Sequence, residues 1–137
     1  MRSFLKIYGP PVLKAIRALE MIAVEMPEVC IMDTIMLKEV SPHLARELGI
    51  SRSRTPGATP RGQFLGNWAL NYFRSSNVTV PLERCQSIIS DAGESLGDYD
   101  FFFEWFQEPS MEQMFDLIGE IDEALATLGC HYTITSR

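Results

Sequence analysis

The chain has 137 residues, a length that accommodates one domain with a hydrophobic core and excludes two domains of ordinary size. Its hydrophobic content of 46% and charged content of 22% are typical of a globular protein and exclude a largely disordered chain. The net charge of -6 argues against a general nucleic-acid binder, because such proteins carry a surplus of Lys and Arg. We therefore expect residues 1–137 to form a single domain with no nucleic-acid partner.

The charge is distributed unevenly along the sequence. Residues 1–97 carry a formal charge of +2 and residues 98–137 carry -8, which together give the net charge of -6. Such a division between two parts of one chain predicts a protein with a polarised surface.

The cysteines favour a reducing compartment. Cys30, Cys85 and Cys130 form no C-x-x-C pair, and no signal-peptide pattern precedes them. Metal ligands usually come in close pairs, so this spacing predicts no metal site and no cofactor. No apolar run reaches the roughly 18 residues of a membrane span. We therefore expect a cytoplasmic protein that has no membrane partner.

The first third of the chain predicts a β-α-β unit. Residues 3–8 favour a short strand, which a Gly-Pro-Pro sequence ends because proline cannot continue a strand ladder. Apolar residues then recur at three- and four-residue steps over residues 11–26, the pattern of an amphipathic helix. Residues 29–37 alternate as a buried strand with Asp33 inside it.

The last third repeats this order. Residues 99–106 are almost entirely aromatic and predict a strand. Ser110 and Gln113 have the spacing of a capping box, which predicts a helix over residues 110–128. Residues 130–136 alternate polar and apolar side chains and predict a final strand.

The aromatic strand has two different faces, because side chains two residues apart point to the same side. One face is aromatic throughout and should pack under the helices; it holds Tyr99, Phe101, Phe103 and Trp105. The other alternates acid and Phe, with Asp100, Phe102, Glu104 and Phe106. We expect this second face to be covered by another part of the chain or by another subunit.

Together these elements predict an α+β fold. Two β-α-β units joined between the second and third strands resemble the plan of the ferredoxin-like split fold, and the resemblance covers residues 3–37 and 98–136. It is a resemblance to a fold and not to a family, and that fold hosts many functions. Residues 38–97 form a partly helical insertion between strands 2 and 3.

The insertion contains an Arg-rich segment, residues 51–62. Arg52, Arg54 and Arg61 suit phosphate or carboxylate, because guanidinium groups bind these anions through paired hydrogen bonds. The spacing of its glycines resembles a phosphate loop, but Gln63-Phe64 replaces the Lys-Ser/Thr pair that such loops require. The other interpretation is a flexible, solvated linker.

Asp33 and His43 are candidate proton-transfer groups. A carboxylate inside a buried strand costs several kcal/mol unless it has a partner. Asp33 therefore either belongs to a pocket, or marks the exposed end of its strand, or pairs with a backbone group or an Arg. No second carboxylate or base follows at a spacing that assigns a reaction.

The C-terminal helix carries an acidic stripe. Glu112, Asp116 and Glu120 follow one another at four-residue steps, and the helix has no Lys or Arg. Like charges at this spacing cost roughly 0.2–0.5 kcal/mol per pair. The stripe is either a solvated face or a docking surface for a basic partner.

The leading hypothesis is an accessory or regulatory protein-interaction module without a catalytic centre, acting as a homo-oligomer or with another protein. The residues predicted to form its interaction surface are Phe102, Glu104, Phe106, Glu112, Asp116 and Glu120. The alternative is a small enzyme or ligand sensor that binds an anionic small molecule through Arg52, Arg54 and Arg61, with Asp33 or His43 transferring a proton.

Overall fold

The chain is an α+β protein with a four-stranded antiparallel sheet. The computed structural model describes residues 1–39, 70, 72–74, 78–85, 87–90 and 92–137. The strands are β1 (Arg2–Tyr8), β2 (Val29–Asp33), β3 (Phe101–Trp105) and β4 (His131–Ser136). In the described part the helices are α1 (Val12–Glu25), α2 (Thr34–Glu39), α3 (Leu82–Cys85) and α4 (Met111–Ala126), and Gly93–Leu96 forms a 3-10 turn.

The strands lie in the order β2-β3-β1-β4, and every neighbouring pair is antiparallel. β3 lies between β1 and β2, so the crossover through α1 joins two strands that are not neighbours. β1 likewise separates β3 from β4, which are joined through α4. The two β-α-β segments are therefore interleaved in one sheet.

The helices α1 and α4 lie on one face of this sheet, which we call the helix face. Tyr132 of β4 donates a hydrogen bond to Asp122 of α4, and α1 and α4 contact each other. Phe101 and Phe103 of β3 are fully buried on this face, with ring centroids 4.9 Å apart. The aromatic strand thus supplies the centre of the core, as its odd-numbered positions predicted.

The opposite face of the sheet, which we call the second face, holds one residue that the sequence placed on the helix face. Tyr99 precedes β3, and its ring packs on Phe4 at 5.0 Å, so it does not share the helix face with Phe101. Phe102 is also fully buried, and its ring meets Phe4 edge-on at 5.5 Å. The chain itself therefore covers the β3 half of the second face, through residues that precede β3.

The second strand is shorter than its apolar pattern predicted. β2 ends at Asp33, and the residues from Thr34 onward form α2 instead of continuing the strand to residue 37. Asp33 Oδ1 accepts hydrogen bonds from the amides of Ile35 and Met36, both at 2.8 Å. This is the geometry of an N-cap, which stabilises the start of a helix and overrides the strand preference of the residues that follow.

The last helix begins as predicted. Ser110 Oγ accepts from the Gln113 amide at 3.1 Å, and the Gln113 side chain accepts from the Ser110 amide at 2.9 Å, which completes the capping box. Its buried residues are Leu117, Ile121 and Leu125. Met111 and Phe115, which the apolar spacing placed with them, are exposed to solvent.

The edge of β2 is closed by residues that lie between α2 and β3. The amide of Ile31 donates to the Ile88 carbonyl and the Ile31 carbonyl accepts from the Ser90 amide, both at 2.8 Å. Arg84 of α3 adds hydrogen bonds to carbonyls at the end of α1, at 2.9 Å to Ala23 and 2.8 Å to Met26. Carbonyls at the end of a helix have no partner within it, so Arg84 acts as a C-terminal cap.

We expect Arg84→Met to lower the free energy of unfolding by about 2–3 kcal/mol, because charge-assisted hydrogen bonds to two carbonyls are lost. Urea denaturation followed by circular dichroism measures this change. Arg74→Met, at an exposed arginine, is the control and should change stability by less than about 0.5 kcal/mol. Equal stabilities of the two variants would contradict the capping role.

Candidate functional sites

Arg52, Arg54, Arg61 and His43 lie outside the described residues. The other predicted residues fall at three separate places: Asp33 in a buried polar cluster, Phe102 and Glu104 on the second face, and Phe106, Glu112, Asp116 and Glu120 at the surface.

Asp33 faces a second buried carboxyl group, that of Glu20 on α1. Both residues are fully buried. Oδ1 of Asp33 is occupied by the two α2 amides, whereas Oδ2 has no hydrogen-bond donor among the described residues. A proton on Oδ2 turns this oxygen into a donor toward the Glu20 carboxylate. With one shared proton, Asp33 Oδ2 therefore has a hydrogen-bond partner. With no proton, Oδ2 lacks one and the two carboxylates repel each other.

The pKa of Asp33 reflects this arrangement. Burial raises it, the hydrogen bond and negative charge of Glu20 raise it further, and the amides of Met36 and Ile35 lower it. The raising effects prevail and bring the pKa of Asp33 to about 8. Two carboxylates in one dry site cannot both ionise easily, so a protonated pair is expected near neutral pH.

Glu20 connects the pair to Tyr72 and Arg17. The Tyr72 hydroxyl donates to Glu20 Oε1 at 2.7 Å, and Arg17 Nη1 donates to Oε2 at 2.9 Å. Burial and the two nearby carboxyl groups raise the pKa of Tyr72, which keeps its hydroxyl protonated as a donor. The Arg17 guanidinium also lies over the Tyr72 ring, 4.9 Å from its centroid.

This cluster links three parts of the fold: α1, the junction of β2 with α2, and the helical residue Tyr72. Its carboxyl groups can hold and release a proton. A cavity of about 370 Å³ lies elsewhere; it is lined by Leu70, Arg74, Val78, Thr79 and Val80, and includes neither carboxyl group. Over the described ranges, no group of three or more His, Cys, Asp or Glu side chains is arranged to hold a metal ion.

The sequence interpretation of Asp33 was correct in one part and incomplete in another. Asp33 does pair with backbone groups, but it does not mark an exposed strand end. Glu20 was missed, although it follows Ile16 by four residues and therefore falls on the buried side of α1. An acid on the apolar side of a helix, together with an acid in a buried strand, was the signal that predicts such a pair.

The Glu104 carboxylate forms hydrogen bonds with side chains of its own chain. Its carboxylate accepts hydrogen bonds from Arg2 Nε at 3.1 Å, from Cys30 Sγ at 3.3 Å and from the Ser90 hydroxyl. Partial burial acts to raise the pKa of Glu104, but the hydrogen bonds from Ser90, Cys30 and Arg2 outweigh it and lower the pKa. Glu104 therefore joins three elements across the second face, and the buried Phe102 beside it presents no surface.

The exposed apolar residues of α4 form a different kind of site, and Phe106, just beyond β3, is exposed as well. Phe106 is 53% exposed, Met111 71% and Phe115 65%. Phe115 follows Met111 by one helical turn, so the two lie on the same side of α4. We call Met111 and Phe115, with Glu112, Asp116 and Glu120, the α4 surface.

The acids of the α4 surface have no basic partner among the residues that the structure describes. Glu112, Asp116 and Glu120 are exposed. The ion pairs found among the described residues join Arg2 to Glu104, Lys6 to Asp100 and Arg17 to Glu20, and none of them involves α4. A large aromatic side chain is thus exposed beside a row of exposed acids on α4.

Other observations complete the description. Within the described ranges, no helix is both long enough and apolar enough to cross a membrane. Cys30 and Cys130 are buried, and the Cys30 thiol donates to Glu104. Comparison of the chain with protein-family models, with curated proteins and with solved structures finds no match.

Proposed function

We propose that this chain is an accessory or regulatory protein-interaction module that binds a basic partner through the α4 surface. The single observation that carries the proposal is the exposure of Phe115, at 65%, beside exposed acids of α4 that form no ion pair with the described part of the chain. An exposed Phe adds little to the stability of the chain, whereas its burial in a complex contributes binding energy.

The form of the partner follows from the geometry of α4. Met111 and Phe115 make an apolar row along one side of the helix, and Glu112, Asp116 and Glu120 make an acidic row beside it. The fitting partner is a segment with apolar anchors flanked by Lys or Arg. The acids set the rate and specificity of association, and the apolar side chains contribute most of the affinity.

The proposal extends to the fold and the compartment. The interleaved order β2-β3-β1-β4, with one helix in each crossover, supports a ferredoxin-like split β-α-β domain. The buried free thiol of Cys130 supports a reducing compartment such as the cytoplasm. Neither property names a partner, because the fold hosts many functions.

The test compares the wild-type chain with Phe115→Ser and with the triple variant Glu112→Gln/Asp116→Gln/Glu120→Gln. Each immobilised chain captures proteins from an extract of its source cells, and each captured protein is then purified and titrated against the same chains. We expect a basic partner whose Kd rises at least about tenfold with Phe115→Ser. With the triple variant, the association rate should fall and lose most of its salt dependence.

The matched control removes the same number of charges elsewhere, at exposed acids, in the variant Glu25→Gln/Glu83→Gln/Asp98→Asn. It should bind the partner like the wild-type chain. All variants should remain folded, because removing like charges from α4 relieves a small repulsion. If every captured protein binds the α4 variants and the control variant equally well, the proposal is wrong.

A further inference from the structure

The two edges of the sheet differ in whether other described residues form hydrogen bonds with their outer backbone groups. At the β2 edge, Ile31 exchanges hydrogen bonds with Ile88 and Ser90, and the Val29 carbonyl accepts from Arg84 at 3.3 Å. At the β4 edge, the described residues provide no strand or loop that pairs with the outer side. An unpaired strand edge is a template for another strand unless the sequence protects it.

The residues of β4 whose backbone faces outward can be identified from the ladder. Arg2 and Arg137 exchange both backbone hydrogen bonds, at 2.9 Å each. Because hydrogen-bonded and non-hydrogen-bonded pairs alternate along an antiparallel ladder, Thr135 and Thr133 also point their backbone groups toward β1. The N–H and C=O groups of Tyr132, Ile134 and Ser136 therefore point to the outer edge.

The sequence of β4 carries none of the usual protections of an edge. The strand His-Tyr-Thr-Ile-Thr-Ser has no Lys, no Pro and no acid, and it pairs with β1 in continuous register without a bulge. Its Thr and Ile residues have high strand propensity. Thr133 and Thr135 expose their side chains on the second face, in the half that residues preceding β3 leave open.

From this edge we infer that two copies of the chain associate by antiparallel pairing of β4 with β4, which extends the sheet across a two-fold axis. Self-pairing satisfies all the outward groups in one register. With Ile134 on the axis opposite its own copy, Tyr132 lies opposite Ser136, and every outward N–H and C=O of these residues finds a partner. Shifting the register by two residues leaves some of them unpaired.

The same register is compatible with the side chains. On the second face it places Thr133 of one copy opposite Thr135 of the other, a pairing that favours strand association. The basic residues that this register brings opposite each other are His131, at the start of β4, and Arg137, one residue beyond its end. The inference goes beyond the proposed function and specifies the homo-oligomer that the sequence led us to expect, and it uses a surface separate from α4.

The experiment measures the dimer Kd by sedimentation equilibrium for variants that differ only in charge pattern. In Thr133→Lys/Thr135→Lys the register places Lys opposite Lys, so we expect the dimer Kd to rise about tenfold or more. In Thr133→Glu/Thr135→Lys it places Glu opposite Lys, so the Kd should stay within about threefold of the wild-type value. Both sites are exposed, so both variants should keep the fold.

A second variant tests the backbone directly. Ser136→Pro removes an outward N–H and no backbone bond to β1, so it should dissociate the dimer while the monomer stays folded. It also removes the 2.9 Å hydrogen bond between the hydroxyl groups of Ser136 and Ser3, and Ser136→Ala, which loses that bond alone, should keep the dimer. A wild-type chain that is monomeric at all concentrations, or equal Kd values for the two charge variants, would overturn the inference. The α4 variants distinguish its failure from that of the proposed function, because they should lose the basic partner and keep the dimer.

Discussion

Asp33→Asn is expected to raise the Tm by several degrees at pH 8 and to leave it nearly unchanged at pH 5. The substitution keeps the N-cap of α2, because Asn is as good a cap as Asp. It also replaces the carboxyl group that loses a proton between these pH values with an amide that never does. The amide can donate to Glu20 at every pH.

The direction follows from proton linkage. The pKa of Asp33 is raised from its ordinary value of 3.8 to about 8, so the folded chain binds this proton more tightly than the unfolded chain does. The free energy of unfolding therefore falls as the pH rises from about 4 to about 8. Each unit of pKa difference corresponds to about 1.4 kcal/mol, so the loss amounts to several kcal/mol.

Glu104 gives the free energy of unfolding the opposite dependence on pH. Its pKa is lowered in the folded chain, so its contribution is present above its ordinary value of 4.5 and is lost as the pH falls through the lowered one. Together, Asp33 and Glu104 predict that the free energy of unfolding is greatest below neutral pH. The maximum should lie near the lower end of the range, from about pH 4 to about pH 8, over which the contribution of Asp33 falls. Scanning calorimetry from pH 4 to pH 9 measures this profile.

The controls separate the charge of Asp33 from its capping role. Asp33→Ala loses the cap as well and should be less stable than Asp33→Asn by about 1 kcal/mol at every pH. Asp98→Asn, at an exposed acid, should follow the wild-type profile. If the Tm of Asp33→Asn and that of the wild-type chain change in parallel between pH 5 and pH 8, the assignment of a shared proton to Asp33 and Glu20 is wrong.

The elements that the sequence predicted well are those with strong local signals. The capping box of Ser110 and Gln113 and the alternation within β3 act through neighbouring residues, so their structures follow from the sequence. The end of β2 was harder to predict from the sequence, because Thr34 and Ile35 are β-branched and favour a strand. There the Asp33 cap prevailed over intrinsic preference.

Features that depend on distant residues were not predictable in the same way. The Glu20–Asp33 pair requires α1 to lie on the same side of β2 as the Asp33 side chain, and Tyr72 reaches it from the insertion. The exposure of Phe115 depends on the rotation of α4 about its axis, since spacing alone includes Met111 and Phe115 in the apolar stripe. Tertiary packing, and not periodicity, decides which edge of an amphipathic helix is buried.

Phe102→Ser is expected to lower the free energy of unfolding by about 4 kcal/mol or more. The side chain is fully buried, and its ring contacts Phe4 edge-on and lies 5.6 Å from the Arg2 guanidinium. Truncating a buried Phe costs about 3–5 kcal/mol, and the new hydroxyl group adds the cost of an unpaired polar atom. Much of the stability of a typical domain would be lost.

Phe106→Ser provides the matched control, because the same substitution is made four residues further along the chain. Phe106 is 53% exposed, so its loss should change the free energy of unfolding by less than about 1 kcal/mol. Thermal and urea denaturation of both variants, with molar mass from light scattering, measure the difference. A folded Phe102→Ser chain with unchanged Tm and smaller mass would mean that a second subunit covers Phe102. Because Phe4 and Tyr99 of the same chain already pack around this part of the sheet, we expect the monomer itself to lose its fold.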